Sequence, residues 1–182
     1  MDIGVPIRNL GAVDITVLKK VILEQEEDAW FEQEHRQQNY EVHKQTSSIV
    51  LLFCDDEWPD ISTFKEPGWD RLADVMMPII ESILKEHYPP GGTILRAMAA
   101  RLHKGGVITP HVDKRPSFHA GHRIHIPITT NPKVRFTISG KPHKFEVGQV
   151  YEINNQFTHS VMNKGKEHRI HVIFDYMPPN ES

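Results

Sequence analysis

Two histidines and one aspartate in the C-terminal half of the chain have a spacing that suits a metal ion. His111 and Asp113 are separated by a single residue, and His159 follows much further along. Residues two apart on a β-strand face the same side, so His111 and Asp113 can reach one ion, and His159 can complete the set from another strand end. Two imidazoles and one carboxylate leave positions open on the metal. This is typical of non-haem Fe(II) centres that use O2 and a chelating co-substrate, although zinc accepts similar ligands.

Basic residues on two further segments predict an anion beside this metal. Strand alternation places Arg169 and His171 on one face, and it likewise places Arg123 and His125 together, opposite aliphatic residues. An arginine that faces the interior is costly unless it meets an anion, and a carboxylate is its natural bidentate partner. The pattern therefore favours a dicarboxylate such as 2-oxoglutarate. One carboxylate and the keto oxygen would chelate the iron, and the far carboxylate would lie on an arginine. Structural salt bridges are the alternative role for Arg123 and Arg169.

The segment that carries these residues is predicted to be a β-structure. From residue 93 onward, short apolar or alternating runs are separated by turn signals such as Gly105-Gly106 and Asn131-Pro132. Strands that recur every ~8–12 residues indicate a sandwich or barrel. We expect a mainly β (α+β) fold, a jelly-roll or cupin-like double-stranded β-helix over residues 93–177. The sequence HRIH occurs at 122–125 and again at 168–171, which suggests two strands presenting similar side chains to one interior.

The region 1–92 is predicted to be helical or mixed and to pack on this β-structure. Apolar spacing of three and four predicts two amphipathic helices, and short apolar runs predict two strands. The helices are expected from Asp14 to about Glu27 and over Asp70–His87, and the strands over Pro6–Leu10 and Ser48–Cys54. The loop 55–68 is either an active-site lid or a plain surface connection. Together with the 114–120 segment, it is expected to shape the substrate pocket.

Length and composition predict one domain over residues 1–182, since single domains commonly span ~100–200 residues. Lys and Arg total 21 against 24 Asp and Glu, a net charge of −3, so we expect neither nucleic acid nor a membrane as partner. No apolar run approaches the length of a membrane span and no secretory signal is seen. With Cys54 as the single cysteine, a cytoplasmic location is expected.

Two long segments resemble a known enzyme family. RIHIPITTNPKVRF (123–136) and GQVYEINNQFTHSVMNKGKEHRIHVIFD (148–175) resemble the aspartyl/asparaginyl β-hydroxylases. These are Fe(II)- and 2-oxoglutarate-dependent dioxygenases on a double-stranded β-helix. The resemblance covers residues 93–177 and, more weakly, the region before them. It implies an enzyme that uses Fe(II), 2-oxoglutarate and O2 to hydroxylate an unactivated C–H bond, with succinate and CO2 as co-products.

The resemblance also implies roles for individual residues. His111 and His159 match the iron-binding histidines, and Arg169 matches the arginine that holds the far carboxylate of 2-oxoglutarate. Arg123 and His125 match an R-x-H motif whose side chains contact the co-substrate near the metal. The expected substrate is of amino-acid type: an Asp or Asn side chain in a peptide, a free amino acid, or a related small molecule.

Two positions depart from the animal hydroxylase of this family. Asp113 stands where that enzyme has a glycine, so this chain has a full set of three ligands. Ala100 stands where that enzyme has a serine that helps to bind the far carboxylate, so another group must assist Arg169 or the arginine acts with less help. Two other functions stay open, a cupin-type metal protein that does not use 2-oxoglutarate and a non-catalytic binding module. The oligomeric state cannot be inferred from these patterns.

Overall fold

The structure is a computed structural model that describes residues 1–32, 45–55, 57 and 59–179. Segment 33–44 and positions 56 and 58 of the predicted loop lie outside these residues. The helices are α1 (Thr16–Leu23), α2 (Gly68–His87) and α3 (Pro116–Ala120). The strands are β1 (Ile7–Ala12), β2 (Thr46–Cys54), β3 (Thr63–Lys65), β4 (Thr93–Leu102), β5 (Val107–His111), β6 (His122–Thr129), β7 (Val134–Ile138), β8 (Lys141–His143), β9 (Gln149–Ile153), β10 (His159–Asn163) and β11 (Arg169–Met177).

The strands form two antiparallel sheets. The large sheet has the order β1-β9-β6-β11-β4-β2-β3, and the small sheet has the order β5-β10-β7-β8. From β4 onward, successive strands cross from one sheet to the other, with β7 and β8 staying together in the small sheet. This is the jelly-roll arrangement that the turn signals predict. The mainly β fold is therefore confirmed. Region 1–92 does more than cover this structure with helices, because β1, β2 and β3 are themselves strands of the large sheet.

The two faces of the large sheet have different chemistry. On the central strands β6 and β11, Ile124, Ile126, Val172 and Phe174 belong to the same buried cluster as the apolar stripe of α2. Burying each such side chain stabilises the fold by about 1.5–3 kcal/mol. The intervening residues face the small sheet instead, and these are the basic and acidic residues of the site. Period-two alternation thus separates the core that holds the fold together from the chemistry.

The two helices differ from their predicted bounds for local reasons. Helix α1 ends at Leu23, so the predicted extension to Glu27 is wrong. Glu27 lies in a separate 3-10 turn, and its carboxylate accepts two hydrogen bonds from Arg101, at 2.8 and 2.6 Å. Helix α2 continues through Pro78 and begins at Gly68. A Cβ on Gly68 would lie 2.4 Å from the Val50 carbonyl oxygen, so only glycine lets the helix start this close to β2.

Candidate metal centre and co-substrate pocket

The three predicted metal ligands meet at one end of the small sheet. His111 ends β5, His159 begins β10, and the two are register partners with ring centroids 4.3 Å apart. Asp113 follows two residues after His111 and is buried. One candidate ligand atom from each of the three lies within 4.8 Å of the others, and His111 Nε2 is 3.8 Å from Asp113 Oδ1. The spacing of His111 and Asp113, together with the return of β10, places three donors around one point.

Backbone carbonyls orient both imidazoles toward that point. His111 Nδ1 donates to the Thr109 carbonyl at 2.8 Å, and His159 Nδ1 donates to the Phe157 carbonyl at 2.9 Å. Since a carbonyl oxygen only accepts, both Nε2 atoms carry a lone pair that is free to bind a metal. Burial lowers the pKa of His159, and the Asp113 carboxylate partly opposes this effect. A neutral imidazole is the form that binds metals.

Arg123 holds the carboxylate of this set. Its Nη1 donates to Asp113 Oδ2 at 2.7 Å, while its Nε and Nη2 donate to the two oxygens of Asp175, both at 2.8 Å. Burial alone would lower the pKa of Arg123, but the two carboxylates outweigh it and raise that pKa. Arg123 therefore stays charged and fixes one oxygen of Asp113. The predicted contact between Arg123 and the co-substrate stays a prediction, and in the structure its partners are carboxylates.

Two functional residues around Asp113 were missed in the sequence. Asp175 is 1% exposed, and it also accepts a hydrogen bond from Arg96 Nη1 at 3.3 Å. Arg96 in turn donates to Ser117 Oγ at 2.6 Å, at the start of α3. Alternation along β11 carried a signal for one of them, because Asp175 falls on the same face as Arg169 and His171. Arg96 lies in a run that gave no such signal.

Arg169 is a buried cation behind the candidate metal ligands. The residue is 3% exposed, and its Nη2 donates to His171 Nδ1 at 2.6 Å. Within the described part of the chain, Arg169 Nε has no hydrogen-bond partner and no acidic group lies within ion-pairing distance. Burial lowers the pKa of Arg169 to about 9. A charge held here in such isolation indicates a site for an anion.

Two histidines complete the pocket around Arg169. His125 and His171 are neighbours, with their Nδ1 atoms 3.3 Å apart, and burial followed by the nearby Arg169 charge lowers the pKa of each well below the ordinary value. Because a guanidinium only donates, His171 Nδ1 must accept, so the ring proton of His171 is on Nε2. That Nε2 and the Nε2 of His125 are buried and have no partner among the described residues. The repeated HRIH sequence thus brings similar side chains into one interior.

Phe136 connects the anion pocket to the metal ligands. Its ring is nearly parallel to that of His159, with 6.5 Å between centroids, and its centroid is 5.9 Å from Arg169 Cζ. Phe145 packs against Phe136 at 4.6 Å and lies 5.6 Å from His171. The space between the sheets therefore has an end with three candidate metal ligands, an aromatic wall and a cationic end. A metal fits the first end by its donor set. A dicarboxylate that chelates the metal fits the last end, where Arg169 Nε and His171 Nε2 have no partner among the described residues.

In this double-stranded β-helix, two histidines and an aspartate meet at one end of the space between the sheets, and a buried arginine lies deeper in that space. This arrangement defines the class of the Fe(II)- and 2-oxoglutarate-dependent oxygenases. The family model described as aspartyl/asparaginyl beta-hydroxylase matches residues 18–179. The chain belongs to this family and is an oxygenase of that class. No curated protein sequence matches the chain.

Solved structures of low sequence identity share the fold. A 2OG-Fe(II) oxygenase family protein from Burkholderia pseudomallei is 13% identical with a TM-score of 0.55, over 75% of this chain and 68% of that one. The viral collagen prolyl hydroxylase from Paramecium Bursaria Chlorella virus-1, in complex with 2OG, is 8% identical with a TM-score of 0.54, over 97% and 98%. A Pseudomonas putida prolyl-4-hydroxylase is 12% identical with a TM-score of 0.53, over 96% of this chain and 94% of that one.

Among the described helices, none is long and apolar enough to cross a membrane.

Proposed function

We propose that this chain is a hydroxylase of an amino-acid-like substrate, in which His111, Asp113 and His159 hold Fe(II) and Arg169 holds the far carboxylate of 2-oxoglutarate. The observation that carries the proposal is the pairing of two features in one interior: a three-ligand cluster within 4.8 Å and a buried arginine that meets no carboxylate among the described residues. When bound, the iron, 2-oxoglutarate and O2 supply the oxidising power for insertion of oxygen into an unactivated C–H bond, with succinate and CO2 as co-products.

Arg123 serves to orient a metal ligand in this proposal. Fixing Asp113 Oδ2 at 2.7 Å leaves Oδ1 on the side of His111. Hydrogen bonds to a ligating carboxylate set its orientation and strengthen metal binding. The animal relative with glycine at this position has no carboxylate for its arginine to hold. The presence of Asp113 in this chain therefore gives the R-x-H arginine a different task, and His125 is the member of the motif that lies against Arg169 and His171.

His171 is proposed to replace the family serine that is absent at Ala100. Ala100 is the register partner of His171 across β4 and β11, so the imidazole lies directly beside the position where the serine would project. Its Nε2–H has no acceptor in the described part of the chain, and its Nδ1 holds Arg169 in place. Arg169 and His171 can then donate together to one carboxylate, which supplies the second donor that Ala100 lacks.

The test is iron-dependent conversion of 2-oxoglutarate to succinate, stimulated by candidate substrates. The panel contains free amino acids and peptides that carry Asp or Asn, and hydroxylation is read by a mass gain of one oxygen. His111→Ala should abolish Fe(II) binding measured by calorimetry, whereas Asp74→Ala on the exposed face of α2 should leave it unchanged. Metal binding without any turnover of 2-oxoglutarate would favour a cupin-type function instead. Absence of metal binding in the wild type would favour a non-catalytic module.

A further inference from the structure

Positive charge is concentrated on the small sheet and its loops. Residues 107–120, 130–148 and 156–168, which contain the four strands of this sheet, hold eight Lys and Arg against three Asp and Glu. The remaining residues hold 13 against 21, so a chain of net charge −3 has one strongly basic side. Two of the three acids are already paired, Asp113 with Arg123 and Glu146 with Lys144 at 2.9 Å. A net positive charge therefore remains on this side of the molecule.

The outward face of the small sheet combines this charge with an apolar groove. We call it the basic groove and define it by Val107, Pro110, Lys133, Arg135, Met162 and Lys164. Arg135 and Met162 are register partners on β7 and β10, and the Lys164 N–H donates to the Lys133 carbonyl at 3.2 Å. The cations thus lie together at one end. The groove beside them has a volume of about 160 Å³ and includes Val107, Pro110, Arg135 and Met162 in its lining.

The cations of the groove lie on the exposed surface. Lys133, Arg135 and Lys164 are exposed, and none makes an ion pair with another residue in the part of the chain that the structure describes. Val107 is 37% exposed although it is apolar. An exposed surface with adjacent cations and aliphatic side chains is complementary to a segment that carries both carboxylates and apolar groups.

Position relative to the metal favours a polypeptide over a free amino acid. Arg135 lies three residues before Ile138, the register partner of His159, and on the outward face. At ~3.3 Å per strand residue, this puts the cations about 10 Å along the strand from the ligand row. A single amino acid at the metal cannot reach them. An extended chain can, and it needs more residues than the distance of about 10 Å alone requires, because the cations and the ligands lie on opposite faces of the small sheet. The other end of the groove is at Pro110, which precedes His111 on the edge strand β5. At this edge a polypeptide can pass from the outward face of the small sheet to the candidate metal ligands.

We infer that the basic groove binds an acidic segment of a polypeptide substrate, next in sequence to the residue that is hydroxylated. This rests on the proposed function and adds the substrate class to it. A single-stranded nucleic acid is the less suitable polyanion, because binding of unpaired bases uses aromatic stacking surfaces and the lining of the groove contains no aromatic residue.

The inference is tested first by binding, with fluorescence anisotropy of a labelled oligo-glutamate peptide. Oligo-glutamine of equal length and an oligothymidylate of equal charge are the comparison probes. Wild-type protein should bind oligo-glutamate at low salt, and this binding should weaken as salt rises. The reason is that attraction between exposed charges is screened beyond the Debye length, which is ~10 Å at 0.1 M and shortens with added salt. The double variant K133E/R135E should weaken binding roughly tenfold or more, because two attractions become repulsions. The matched variant K20E/K85E, on the exposed surfaces of α1 and α2, should bind as the wild type does.

The outcomes separate this inference from the proposed function. Stabilisation by Mn(II) with 2-oxoglutarate, measured as a rise in melting temperature, should be the same in wild type and K133E/R135E. If that rise occurs but oligo-glutamate does not bind, the groove inference is overturned and the proposed function stands. If oligo-glutamate binds but Mn(II) with 2-oxoglutarate does not raise the melting temperature, the proposed function is refuted and the groove is still shown to bind an acidic segment. Tighter binding of oligothymidylate, or a concentration-dependent dimer that K133E/R135E abolishes, would overturn the inference in favour of nucleic acid or a second copy.

Discussion

Arg169→Met should make the ligand-free protein more stable while removing its response to 2-oxoglutarate. In the folded protein no carboxylate of the described residues compensates the Arg169 charge, and burial lowers the pKa of Arg169 to about 9. Because each unit by which the pKa is lowered corresponds to about 1.4 kcal/mol, burying the Arg169 charge costs roughly 5 kcal/mol at neutral pH. Methionine fills a similar volume without a charge to desolvate.

The net gain in stability of Arg169→Met will be smaller than the cost of burying the charge. Replacing buried ions by apolar residues of similar volume commonly stabilises a protein by about 1–4 kcal/mol. The variant also loses the hydrogen bond from Arg169 Nη2 to His171 Nδ1, which is worth about 1 kcal/mol. We expect a net gain of about 1–3 kcal/mol, or a rise of several degrees in melting temperature for a chain of this size.

The pH dependence of this gain has a definite sign. The lowered pKa means that the folded protein binds fewer protons than the unfolded chain at pH values above about 9, so the stability of the wild type rises there. Below pH 9 both states carry the charge and the full cost remains. The advantage of Arg169→Met should therefore be constant at neutral pH and shrink above pH 9.

Denaturant unfolding with and without 2-oxoglutarate and Mn(II) measures both effects. Wild type should gain stability from the co-substrate and Arg169→Met should not, whereas the exposed Arg135→Met should respond as the wild type does. A ligand-free Arg169→Met protein that is markedly less stable than the wild type would refute the view of Arg169 as an uncompensated charge. A preserved stabilisation by 2-oxoglutarate would refute its role as the anchor.

Three further changes test the metal end of the site and the core. Asp113→Ala should weaken Fe(II) or Mn(II) binding, measured by calorimetry, by about 100-fold or more, and unchanged affinity would exclude the three-ligand set. Asp175→Asn should weaken metal affinity by about 10–100-fold, because Arg123 loses the partner that positions it against Asp113. It should also lower the free energy of unfolding by about 3–5 kcal/mol, because the buried guanidinium groups of Arg123 and Arg96 both lose a carboxylate partner. Ile126→Ala, in the fully buried core, should lower the free energy of unfolding by about 2–5 kcal/mol yet leave metal affinity unchanged.

The shared face of His111 and Asp113 and the two faces of the central strands could be predicted from local patterns. His111 and Asp113 share a face because strand side chains alternate, and the same rule puts Arg169 with His171 and Arg123 with His125. The turn signals after residue 93 predicted a mainly β fold for the same local reason. These are properties of neighbouring residues, and the geometry of a β-strand fixes them whichever strand it pairs with.

The partners of those residues were decided only by the tertiary structure. Nothing in the local pattern indicates that Arg123 would meet Asp113 and Asp175. The pairing of β6 with β11 brings Asp175 to it, and the packing of the small sheet against the large sheet brings Asp113. Helix α1 stops at Leu23, and Glu27 beyond it pairs with Arg101, a residue that is distant in sequence. Only the pairing of β4 with β11 shows that His171 lies beside Ala100. Alternation fixes the face on which a side chain lies, but sheet register fixes which charge it meets, and register is set by the packing of the whole chain.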